Sequence, residues 1–141
     1  MACASPGAHH RQSHHAPLIW RIISKRIYSP MALKQLRWLG NARAVVRAFP
    51  PNARREAGYQ LYRVQAGHQP SDWKPMTRVG AGVREIRIHA DGEYRVLYLA
   101  TRPEAVYVLH AFAKKRQSTP KLDVDLAQAR LKELLRRRAR E

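Results

Sequence analysis

Apolar residues crowd into three runs of strand length between Val83 and Lys115, in VREIRIHADGEYRVLYLATRPEAVYVLHAFAKK. The Asp91-Gly92 step parts the first run from the second and is the short-range mark of a hairpin. Arg102-Pro103-Glu104 parts the second from the third. A three-stranded antiparallel meander is predicted here. Upstream, LKQLRWL alternates as a strand, with Leu33, Gln35, Arg37 and Leu39 on one face and Lys34, Leu36 and Trp38 on the other. Gly40-Asn41 ends it, and Asn41 is placed to cap a short helix over 42–49. Pro50-Pro51 stops that helix and opens the next, since Pro51 suits a first helical turn.

Residues 52–65 follow the helical period, with Ala57, Leu61 and Val64 apolar, Tyr62 beside them, and Arg54, Arg55, Gln60 and Arg63 on the wetter side. Gly67 closes this helix, and 67–82 reads as a loop in which Trp73 is either an anchor at the core edge or a surface for a base. Ser118-Thr119-Pro120 signals a last helix, with Thr119 as cap and Pro120 at its first position. Asp123 and Asp125 suit the positive end of its dipole, and Val124, Ala127, Leu131 and Leu134 form its apolar stripe. Arg136, Arg137, Arg138 and Arg140 end it as a solvated tail or as an RNA contact. The expected fold is α+β: a helical hairpin and a C-terminal helix packed on an antiparallel sheet, in the order β-α-α-β-β-β-α.

Residues 1–30 differ from the rest. They hold Arg11, Arg21, Lys25 and Arg26, no acidic residue, and the histidines His9, His10, His14 and His15. The expectation is a disordered extension or a start placed too far upstream, with the domain proper over 31–141. An organelle presequence and a metal site at the paired histidines are the weaker readings. Leu18–Tyr28 is the one part with the apolar content for a short basic amphipathic segment.

Charge changes the picture most. The chain of 141 residues has a formal net charge of +17, yet 45% of it is hydrophobic. A basic chain that still builds a core calls for a polyanionic partner: RNA, DNA, a ribosome, an acidic protein or an anionic surface. Cys3 is the single cysteine, so neither an internal disulfide nor a cysteine-based zinc site is available. No apolar run approaches the roughly 20 residues a bilayer crossing needs. Along the meander, Arg84, Arg87, Arg95, Lys114 and Lys115 set fixed positive charge beside core residues, as a phosphate backbone requires.

The pieces AFPPNARREAGYQLYRVQAG, SDWKPM-x5-GVREIRIH, GEYRVLYLA and VYVLHAFAKKRQSTPKLDVDLAQARLKELL, in this order, cover nearly all of 31–141. Together they resemble the phage-related, HigB-like branch of the RelE/ParE toxin superfamily. The resemblance implies the toxin of a type II toxin–antitoxin pair; the lone Cys3 fits a reducing cytosol, so a cytoplasmic protein is expected, and no cofactor is expected. Its implied partners are a helix-turn-helix (HigA-like) antitoxin, the ribosome and mRNA, and its implied activity is ribosome-dependent endoribonuclease cleavage. A ParE-like toxin that acts on DNA gyrase without catalysis, and a basic RNA-binding module, are the alternatives.

RNA carries its own nucleophile, the 2′-OH, so cleavage needs no metal; it needs in-line geometry, charge neutralisation and two proton transfers. The resemblance implies Arg87, Arg95 and Lys115 as the electrostatic cradle, with Lys114 able to stand in for Lys115. Arg84, Lys114, Arg116 and Phe112 are the further RNA contacts. By period-two alternation Glu85, Arg87 and His89 share a strand face, so Glu85 or His89 is a candidate for the base, and His110 another. Equally, Glu85 pairs with Arg87 and His110 is a core histidine. Relatives place a lysine near position 85, and some use a tyrosine or histidine near the C-terminus as acid; this chain has Glu85 and no such residue after Lys121. Tyr94, Tyr98 and Tyr107 are expected in the core, as is Phe112 if it does not stack on a base.

Overall fold

The computed structural model describes residues 33–115 and 117–140. The expectations for residues 1–30 lie outside that range. Eight elements follow in order: β1 (Gln35–Trp38), α1 (Ala42–Arg47), α2 (Pro51–Gln65), β2 (Trp73–Pro75), β3 (Val83–His89), β4 (Glu93–Leu99), β5 (Ala105–Ala113) and α3 (Lys121–Arg140). They form a five-stranded sheet in the order β1-β5-β4-β3-β2. The predicted meander is its centre, with β3, β4 and β5 antiparallel. The hairpin turns where expected, at Asp91 (φ 56°) and Gly92 (φ 142°).

Two features depart from the expected sheet. β1 runs parallel to β5, because the chain passes through both helices before the meander returns. Within the expected loop, Trp73–Pro75 adds an antiparallel edge strand on β3. Three residues ending in proline carry too little alternation to be read as a strand.

Each sheet face buries its own core. On one side α1 and α2 bring Val46, Phe49, Ala53, Ala57, Leu61 and Val64 against Ile86, Ile88, Val96 and Val108. On the other, α3 brings Val124, Ala127, Leu131 and Leu134, the predicted stripe, against Val83, Leu97, Leu99 and Leu109. Tyr94, Tyr98 and Tyr107 are buried as expected. Tyr62 and Gln60 exchange their expected places. Tyr62 is half in solvent, whereas Gln60 is buried, bonded to Glu56 and to Ser71 of the following loop.

The predicted caps do other work. Asn41 precedes α1 but makes no side-chain cap bond. Its Oδ1 accepts from Arg130 Nη2 at 2.7 Å, and Arg130 also donates to the Leu109 carbonyl at 2.8 Å. Gly40, at φ +55°, leaves room for this arm, since a Cβ there would collide with the Arg130 guanidinium. Thr119 donates its hydroxyl to Glu85 at 2.8 Å, and α3 begins after Pro120, at Lys121. At the far end of α3, Arg138 grips Glu104 with two bonds while the Tyr107 hydroxyl donates to the same carboxylate. These partners hold the Glu104 carboxyl down at about 2.

Candidate functional site

β3, β4 and β5 place the functional side chains by register. Arg87 lies directly opposite Arg95, Glu85 opposite Leu97, and His89 opposite Glu93. Across the other ladder, Arg95 faces Phe112 and Leu97 faces His110. All of these share the α3 side of the sheet.

A bulge between Leu97 and Tyr98 decides which lysine joins them. Leu97 pairs with His110, but Tyr98 pairs with Val108, so β5 carries one extra residue there. Period-two counting from Tyr107, on the α3 side, would bring Lys115 to that face. The extra residue shifts the phase, and the backbone N–H of Lys114 donates to the Glu93 carbonyl at 2.7 Å. Lys114 therefore continues the row of Phe112, and Lys115 is exposed at the rim of the same hollow. That hollow, of about 370 Å³, is lined by Glu93, Arg95, Lys114, Lys115 and Gln117.

Below it lies Glu85, fully buried. One carboxylate oxygen accepts from Thr119; the other lies 3.6 Å from Arg95 Nε and 3.7 Å from Lys74 Nζ. Arg95 is also buried, and its Nη1 reaches Glu93 Oε1 at 3.0 Å and the Tyr94 carbonyl at 2.9 Å. Arg87 is the looser of the two arginines, half-buried, with Asp72 Oδ1 at 3.9 Å. Burial pulls Lys114 below the usual lysine value, as do the charges of Arg95, Lys74 and Arg87, while Glu85 opposes them.

The proposed bases are both engaged. His89 has Nδ1 2.7 Å from Glu93 Oε2 and Nε2 2.7 Å from Asp72 Oδ2. The bond to Asp72, then that to Glu93, raises its pKa. An imidazolium that gives both N–H groups to carboxylates has no lone pair to offer. Glu85 has no solvent-facing surface and serves to hold two cations. His110, expected as either a base or a core residue, is the latter: Nε2 meets Asp123 Oδ1 at 2.6 Å and Nδ1 meets Arg130 Nη1 at 3.3 Å.

Two expected RNA contacts are placed elsewhere. Arg84 is on the opposite sheet face, its guanidinium 4.1 Å above the Trp73 ring. This settles Trp73 at the sheet edge, under a cation. Phe112 is 8% exposed and stacks on His110 within the α3-side core, the placement expected of it as a core ring. Arg116 lies outside the described residues. Lys74, which beside Trp73 in the sequence reads as a solvated flank, joins the cluster instead; the signal for it was the unread edge strand that aligns Lys74 with Glu85.

Among the described residues, no three His, Cys, Asp or Glu side chains group as a metal site, and no helix is long and apolar enough to cross a membrane. Residues 44–132 match the family described as Phage derived protein Gp49-like (DUF891). No curated protein matches the chain.

Proposed function

The chain belongs to the phage-derived Gp49-like family, a RelE/HigB-like family of toxins from toxin–antitoxin systems, and on that premise we propose that it is a ribosome-dependent mRNA endoribonuclease. One observation carries the reading. Arg87 and Arg95 sit directly opposite each other on neighbouring strands, with Lys114 on the same face. Like charges at directly paired positions destabilise a sheet, so stability alone does not select them. The buried Glu85 offsets part of that repulsion and leaves an excess of cations at the surface above it.

The chemistry follows from what RNA supplies. The 2′-oxygen attacks the adjacent phosphorus, the bond to the 5′-oxygen breaks, and the products are a 2′,3′-cyclic phosphate and a 5′-hydroxyl end. Charge grows on the non-bridging oxygens along the way. Arg87, with the loosest tie, takes these oxygens through its planar fork. Arg95, fixed by Glu93 and Glu85, supplies a preorganised field that costs no rearrangement during reaction. Lys115 at the rim holds a neighbouring phosphate. A toxin of this kind acts in the cytoplasm and is held silent by an antitoxin; a helix-turn-helix protein is the partner we propose.

The test is induced expression with transcript 5′ ends mapped across the cell. New 5′-hydroxyl ends inside reading frames should appear with the wild-type protein and vanish with Arg87→Ala, together with the growth arrest. Growth arrest over intact transcripts would instead point to the gyrase-directed reading, most of all if it survives Arg87→Ala.

A further inference from the structure

Cleavage requires a group to take the 2′-OH proton, and the geometry favours one candidate. Lys115 is exposed at the rim of the hollow, and Lys74 Nζ stands 3.7 Å from the Glu85 carboxylate. His89 gives both ring nitrogens to Asp72 and Glu93. His110 is buried between Asp123 and Arg130. Glu85 is wholly enclosed, with its oxygens turned to Thr119, Lys74 and Arg95. Asp72 and Glu93 are the carboxylates that hold His89, and Glu93 holds Arg95 as well. The arginines stay protonated at any working pH.

We infer that Lys114, as the neutral amine, is the general base of the reaction, a role that rests on the nuclease reading above. Its side chain lines the hollow beside Arg95, half-buried, and no carboxylate among the described residues lies within ion-pairing distance of its ammonium. The charged groups that face it are Lys74 from β2, Glu85 and Arg87 from β3, and Arg95 and Glu93 from β4. Three of these are cations whose field disfavours a fourth, and burial acts in the same direction. A lysine crowded in this way gives up its proton more readily than one in solvent.

In the step itself the Lys114 nitrogen accepts the 2′-OH proton as the 2′-oxygen bonds to phosphorus, the bond from phosphorus to the 5′-oxygen breaks, and the departing 5′-oxygen takes a proton from water. The ammonium so formed lies beside the developing negative charge. Solvent then takes the proton and resets the amine. Base loss is the discriminating change: Lys114→Arg keeps the charge of the protonated form but cannot accept a proton.

The experiment is single-turnover cleavage, on translating ribosomes, of a reporter mRNA whose cut site has been mapped with the wild-type protein. The rate should rise with pH and level off, and Lys114→Arg should be slower by about 100-fold or more at the plateau. An mRNA with a 5′-bridging sulfur at that site has a leaving group that needs no acid. It should not rescue Lys114→Arg. Lys114→Cys in a Cys3→Ser background, alkylated to restore an amine, should regain activity with the rising limb moved to lower pH. Rescue by the sulfur substrate would make Lys114 the acid and overturn the base role. So would wild-type-like cleavage by Lys114→Arg while the wild-type protein cuts. A wild-type protein that cuts no RNA at any pH overturns the nuclease reading and this role with it.

Discussion

His89 shows how a single side chain is diverted from the use its place suggests. Its position at the end of β3, two residues beyond Arg87, is that of a base, but it is spent on joining the β2 approach to the hairpin through Asp72 and Glu93. That choice has a signature in pH. Its folded pKa is raised above 6.5, so its contribution to stability is complete below 6.5 and is lost as pH rises through the folded value. Glu93 is shifted the other way, chiefly by the bond to His89, so its contribution is complete above 4.5 and is lost on acidification. The pair therefore helps most between 4.5 and 6.5. In denaturant titrations at a series of pH values, the wild-type protein should lose stability from pH 6 to pH 8.5, and His89→Gln should lose visibly less. Parallel curves for the two proteins would mean that the clamp does not hold in solution. Both groups are well exposed, so added salt should shrink the difference.

At the level of elements, α3 is tied to the sheet by polar bonds at both ends as well as by its apolar stripe. The Thr119 bond to Glu85 is the most consequential, because it satisfies one oxygen of a carboxylate with no access to water. Thr119→Val keeps the shape and removes the donor. It should lower unfolding free energy by about 1–3 kcal/mol in urea or guanidinium titration, and it should loosen Arg95 and Lys74 as Glu85 shifts. A loss within measurement error would show that the bond is replaced by water. What could be read before the structure follows from which signals are periodic. The meander, the two proline-bounded helices and the α3 stripe announce themselves by period, and all stand where expected. The roles of Asn41 and Thr119 could not be read, because a cap signal names a residue able to bond locally and cannot see Arg130 or Glu85 arriving from afar. The bulge at Leu97/Tyr98 was equally invisible, and it alone decides that Lys114 and not Lys115 joins the face of Arg95. One unpaired residue in a strand leaves no mark on an apolar run, yet it turns every later side chain over.

For the whole molecule, the net charge of +17 points to a polyanionic partner but not to where one would bind. The sheet answers by dividing its cations between two faces: Arg87, Arg95, Lys114 and Lys74 on the α3 side, and Arg84 on the side of α1 and α2, turned onto Trp73. If RNA follows the first face alone, the salt dependence of binding separates the two sets. Each phosphate neutralised on a single strand contributes a slope of about −0.7 in log K against log salt. With an oligoribonucleotide made uncleavable by a 2′-deoxy group at the cut site, Arg87→Ala and Lys115→Ala should each weaken binding and flatten the slope by about 0.7. Arg84→Ala should leave the slope unchanged. Arg95→Ala should weaken binding with a smaller change in slope, because its guanidinium is already occupied by Glu93 and stands close to Glu85. Equal flattening by Arg84→Ala and Arg87→Ala would mean that RNA wraps both faces, and a one-sided cradle could not then account for how this protein holds its substrate.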